Sequence, residues 1–110
     1  MADAIFHTTV YSYRTVYQSI VTLLFERQKE ILFAIAKERN ATEITSAEFI
    51  KKHGLFSSSS VQSAVKQLLE KELITRDVSV YRVYDRFFGL WLSETYGTGY
   101  NLNKVLYGNN

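Results

Sequence analysis

Two β-prone runs stand late in a chain whose other apolar residues recur mostly at three- and four-residue steps. Ile74-Thr75-Arg76 and Val80-Tyr81-Arg82-Val83-Tyr84 flank Asp77-Val78-Ser79, which predicts a short β-hairpin. Tyr81 and Val83 share one face of it, and Arg82 and Tyr84 share the other. A lone two-stranded hairpin is marginal in water, so one face must be covered by something else. The chain is 110 residues long, enough for one domain with a modest core and too short for two of ordinary size. The cover must therefore come from the helices around the hairpin.

Val10, Tyr13, Val16 or Tyr17, Ile20, Val21 and Leu24 have helical spacing up to about Thr22. Glu26 to Arg39 repeats it with Ile31, Leu32, Ile35 and Ala36. The chain has no proline, so one long helix and two abutting helices both fit. Asn40-Ala41-Thr42 reads as a helix exit, and Ile44 suggests a brief extended segment. Thr45 and Glu48 have capping-box spacing before a helix through Phe49 to His53, which Gly54 can close in a left-handed cap. Ser57-Ser58-Ser59-Ser60 reads as a turn ending in a serine cap, followed by Val61, Val65, Leu68 and Leu69 at helical spacing. Asp85 can cap a last helix carrying Phe87, Phe88, Trp91 and Leu92, closed by Gly97 and Gly99. The tail to Asn110 carries no clear period.

Helix, short strand, helix, turn, helix and hairpin is the order of a winged helix-turn-helix. The predicted fold class is therefore mainly α with a small β-hairpin, a winged helix-turn-helix with extra N-terminal and C-terminal helices. The expected division is an N-terminal extension over 1–24, a winged-helix core over 25–84 and an aromatic helix with its tail over 85–110. The helix from Ser59 to Lys71 would be the recognition helix and the hairpin its wing. Phe33, Phe49, Val61, Val65, Leu68, Tyr81 and Val83 are the expected core.

Three stretches carry a family resemblance: Gln28 to Ala36, Ser58 to Leu68 followed by Leu73-Ile74, and Tyr81-Arg82-Val83-Tyr84-Asp85-Arg86-Phe87-Phe88-Gly89-Leu90-Trp91-Leu92. Together they resemble the C-terminal winged-helix region of bacterial and archaeal-type AAA/STAND-like P-loop ATPases, over about residues 15–95. In that family a strand ending in Tyr-x-Val/Leu-x-Asp enters an aromatic helix. No Gly-x-x-x-x-Gly-Lys-Ser/Thr occurs here, so the resemblance implies the accessory module and not the nucleotide-hydrolysing core.

Composition excludes several other classes. There is no cysteine, hence no disulfide framework, thiolate metal site or cysteine nucleophile. His7 and His53 stand far apart without ligand spacing, so no metal and no cofactor are expected. No Gly-x-Ser-x-Gly elbow supports a serine hydrolase, and an enzyme is not expected. The start lacks the pattern of a signal peptide and no apolar run could span a bilayer, which predicts a cytoplasmic protein without a membrane partner.

Two binding functions remain. For duplex DNA, Ser59, Ser60, Gln62, Ser63, Lys66 and Gln67 would face outward from the recognition helix, with Arg76 and Arg82 on the wing. The formal net charge is only +2, a thin supply for phosphate contact. For a protein partner, the aromatics matter. Five lie between Phe6 and Phe25 and eight between Tyr81 and Tyr107, with Phe33, Phe49 and Phe56 alone between them. Tyr13, Tyr17, Phe87, Phe88 and Trp91 could anchor an interface with the ATPase core or a homodimer partner. Alternatively, the first and last helices pack on each other within the chain.

Overall fold

No proline or glycine interrupts the apolar period between Val10 and Arg39, yet the helix breaks. In the computed structural model, which describes residues 12–96, α1 spans Arg14–Thr22 and α2 spans Glu26–Glu38. Phe25 between them is extended (φ −72°, ψ 159°), and its N–H donates to Gln28 Oε1 at 3.0 Å. That amide oxygen satisfies a backbone donor at the start of α2, as the glutamine of a capping box does. The two helices abut.

Arg39 ends α2 with φ 68° and ψ −55°, and the Asn40 N–H donates to the Glu38 carbonyl at 2.8 Å. This is a γ-turn of the rarer, strained hand. The extended residue that follows is Ala41, not Ile44. Ala41 exchanges both backbone hydrogen bonds with Tyr81, at 2.9 and 2.8 Å, whereas Ile44 sits in a turn that buries its side chain.

Helix α3 spans Ala47–His53. Its cap lies one residue later than the Thr45–Glu48 spacing suggests: Ser46 Oγ accepts from the Phe49 N–H at 3.1 Å. Gly54 closes the helix in the left-handed region (φ 63°, ψ 36°), where a side chain would be strained. Helix α4 spans Ser58–Glu70. Ser57 is its cap, so the other three serines belong to the helix rather than to the turn. Leu73 N–H then reaches the Leu68 carbonyl and Glu72 N–H the Leu69 carbonyl, each at 3.0 Å, a Schellman closure around left-handed Glu72 (φ 61°).

Strands β1 (Ile74–Asp77) and β2 (Val80–Val83) pair antiparallel, Ile74 opposite Val83 and Asp77 opposite Val80. The turn is Val78-Ser79, one residue shorter than expected. Asp85 Oδ1 accepts from the Phe87 and Phe88 N–H groups at 2.9 and 3.2 Å and starts α5 (Arg86–Tyr96). The proposed closure at Gly97 and Gly99 lies outside the described residues.

One core runs through all five helices and β1. Leu32, Ile35, Val61, Leu68 and Leu92 are its most enclosed side chains, and Tyr17, Phe88 and Trp91 belong to it. Of the expected core, Phe49, Val61, Val65 and Leu68 are buried, while Phe33, Tyr81 and Val83 pack half-buried against it. Phe33 instead stacks on Tyr96, with ring centroids 4.2 Å apart.

Candidate nucleic-acid interface

Burial of Val61, Ala64, Val65 and Leu68 turns the opposite face of α4 outward. Ser59, Gln62, Ser63, Lys66 and Gln67 are exposed there, and Ser60 is half-buried. Three of the six expected contact residues are engaged within the chain. Ser60 Oγ accepts from the Ser57 N–H at 3.2 Å and donates to the Ser57 carbonyl at 2.9 Å. Gln67 Oε1 accepts from Gln28 Nε2 at 2.7 Å. Ser59 Oγ lies 3.3 Å from Ser57 Oγ. Gln62, Ser63 and Lys66 keep their side chains open, and three- and four-residue spacing sets them on one stripe with Ser59.

The wing does not present its two arginines together. Arg76 lies opposite Tyr81 and Arg82 opposite Thr75, which places the guanidinium stems on opposite faces of the hairpin. Arg76 Nε donates to the Val78 carbonyl at 2.7 Å, and its Cζ stands 5.9 Å from the Tyr81 ring centroid. It thereby holds the wing tip, where β-branched Val78 has φ 60°. Such a conformation costs on the order of 1–3 kcal/mol. Arg82 Nε donates to Asn40 Oδ1 at 2.6 Å and lines a cleft with Arg39 and Arg86. Arg39, Asn40 and Arg86 are the residues that sequence reasoning missed. They come from a helix exit and a helix start, and no local spacing links them.

The aromatic set divides differently from the expectation of an exposed interface. Tyr17, Phe88 and Trp91 are buried, and the Tyr17 ring lies 5.0 Å from Phe88 and 5.5 Å from Trp91 between centroids. Helices α1 and α5 therefore pack on each other within the chain, which withdraws these three rings from any partner. Burial, followed by the nearby Asp85 charge and Tyr13, raises the Tyr17 hydroxyl above the ordinary tyrosine range. Tyr13 remains 52 % exposed and Phe87 half-buried. Both line an apolar groove of about 550 Å³ with Val16, Ile20 and Leu73.

His53 is tied to structure. Its Nε2 lies 2.7 Å from Glu38 Oε2, which also receives Lys52 Nζ at 2.8 Å. Hydrogen bonds from Lys52 and then His53 hold the Glu38 carboxyl below its ordinary value. Among the described residues no group of three His, Asp or Glu side chains is placed to hold a metal ion, and no helix is long and apolar enough to cross a membrane.

Comparison with curated proteins found no match, and neither did comparison with solved structures. A family model described as "Probable winged helix domain" matches residues 15–94, which takes in most of α1 and of α5 as well as the hairpin and the helices between them. The helix order, the capped turn before α4 and the two-stranded wing agree with that description, and the chain belongs to this winged helix family.

Proposed function

We propose that this winged helix is a DNA-docking module that lays the outer face of α4 against a duplex, with the wing tip alongside. The observation that carries the reading is the stripe of Ser59, Gln62, Ser63 and Lys66. Gln62, Ser63 and Lys66 are exposed and have no side-chain partner among the described residues. Glutamine and serine can bond base edges or phosphates, and lysine can pair a phosphate. Arg76 adds a second cation at the tip. The module binds and does not catalyse.

Fluorescence anisotropy on a labelled duplex, repeated over a salt series, tests this. Binding should weaken with salt, and Lys66→Ala should flatten the log–log slope by about 0.9, the share of one phosphate contact. Affinity unchanged in both Lys66→Ala and Arg76→Ala would remove the reading.

The same proposal places the module in the C-terminal part of an AAA/STAND-like P-loop ATPase. Its support is the resemblance of segments now seen as α2, α4 and the β2–α5 junction. A P-loop encoded in the adjoining frame would be expected, and its absence would count against the parentage.

A second reading is favoured by the groove at Tyr13 and Phe87, where Val16 is also half exposed. It is a docking site for the ATPase core or a second copy of this chain. Tyr13→Ser should weaken that association in light scattering or pull-down with the core. A monomer at high concentration that also fails to bind the core would exclude it.

A further inference from the structure

We propose that the cleft between the end of α2, the end of β2 and the start of α5 is an anion site for a phosphate-bearing ligand. Arg39, Arg82 and Arg86 all line it, with Asn40 between the first two. No aspartate or glutamate is among its lining residues, and none of the three arginines has an ion pair among the described residues. Three arginines lining one concave surface concentrate positive charge there, and an anion seated among them would offset it.

The cleft is shaped as well as charged. Its volume is about 450 Å³ and its floor is apolar, built by Ala36, Val83 and Leu90. That size exceeds a single phosphate and falls within the range of small-ligand sites. Tyr84, 69 % exposed, stands on the rim with a ring face on which a planar group could stack.

Two local features bear on how the arginines are presented. The bond from Arg82 Nε to Asn40 Oδ1 occupies the inner nitrogen and leaves the outer fork for a ligand; arginine suits two-point contact with phosphate oxygens. Arg39 occupies the strained γ-turn. A glycine would take that backbone conformation freely; this chain places there an arginine that lines the cleft. Strained residues of this kind gather at functional sites. The site shares phosphate chemistry with a free nucleotide and with a nucleic-acid strand, and it stands independently of the duplex reading for α4.

The test is a nuclear magnetic resonance titration of the full chain with inorganic pyrophosphate, following the Arg Nε and Asn40 side-chain signals. Saturable shifts confined to residues 36–40 and 82–90 are expected. Arg39→Gln with Arg86→Gln should weaken binding at least about tenfold, while Lys51→Ala, an exposed lysine of α3 outside the cleft, should leave it unchanged. Adenosine monophosphate and a short oligothymidylate then distinguish the sources, because whichever displaces pyrophosphate from these signals shares the site. Absence of saturable shifts in the millimolar range would overturn the proposal. So would equal affinity in a double variant whose remaining spectrum shows it folded.

Discussion

Gln28 Nε2 donates to Gln67 Oε1 at 2.7 Å, joining a side chain 2 % exposed in α2 to one on the outer face of α4. Gln28 Oε1 meanwhile caps the start of α2. One buried amide thus couples the α1–α2 break to the placement of α4. Substitutions at exposed positions usually change stability by no more than about 0.5 kcal/mol. Gln67→Ala should cost about 1–3 kcal/mol, because it leaves a buried N–H without an acceptor. Urea denaturation measures this, and a loss within the ordinary surface range would show that the bond is replaced by water.

Trp91→Ala should destabilise the chain by about 3–5 kcal/mol, the usual cost of removing a large buried aromatic. Its ring meets Tyr17, and Tyr17 also meets Phe88, so the loss would loosen α1 from α5. The chain's only tryptophan also offers a reporter: Tyr17→Leu should shift its emission toward that of exposed indole. Thermal unfolding combined with light scattering distinguishes this from an interface role, since a purely interfacial tryptophan would change the oligomeric state and spare the melting temperature.

The turns and helices were legible where a local physical signal existed. Gly54, Asp85 and the serine run mark helix ends because each supplies a special backbone conformation or an oxygen for free N–H groups. The hairpin was legible from alternation. The Ala41–Tyr81 bridge was not, because an isolated pair leaves no period, and Ile44 drew attention only as the larger apolar residue. The arginine cleft was invisible for a related reason. Arg39 and Arg86 converge only after α2 and α5 pack, and an arginine in a left-handed γ-turn has no compositional mark. The aromatic surplus was visible in composition, but its destination depended on whether α1 folds back over α5.

Acid should weaken the fold through Glu38. Its folded value lies below the ordinary 4.5, so above 4.5 the carboxylate is charged in both states and its full contribution is present. As pH falls below that value the unfolded chain protonates first and is favoured. The contribution disappears as pH passes through the lowered folded value. Urea midpoints of the wild type should therefore exceed those of Glu38→Gln at neutral pH and converge with them in acid. A constant difference down to strongly acidic pH would show that Lys52 and His53 do not hold the carboxylate.

The turn between α3 and α4 joins the two helices, and its two ends can be weakened separately. At Gly54 a Cβ would meet nothing within 4 Å, yet φ is +63°. Gly54→Ala should therefore cost only backbone strain, about 1–2 kcal/mol. Ser57→Ala removes the oxygen that accepts from the Ser60 N–H and should cost about 0.5–2 kcal/mol. Between them Phe56 is exposed but lies beneath the Arg27 guanidinium, 4.4 Å from its ring centroid, which pins the turn to α2. If that contact holds the turn rigid, the two caps act independently and the double variant loses the sum within about 0.5 kcal/mol. A double variant well short of the sum would mean that either change alone already releases the turn, and Arg27→Ala should then produce the same shortfall.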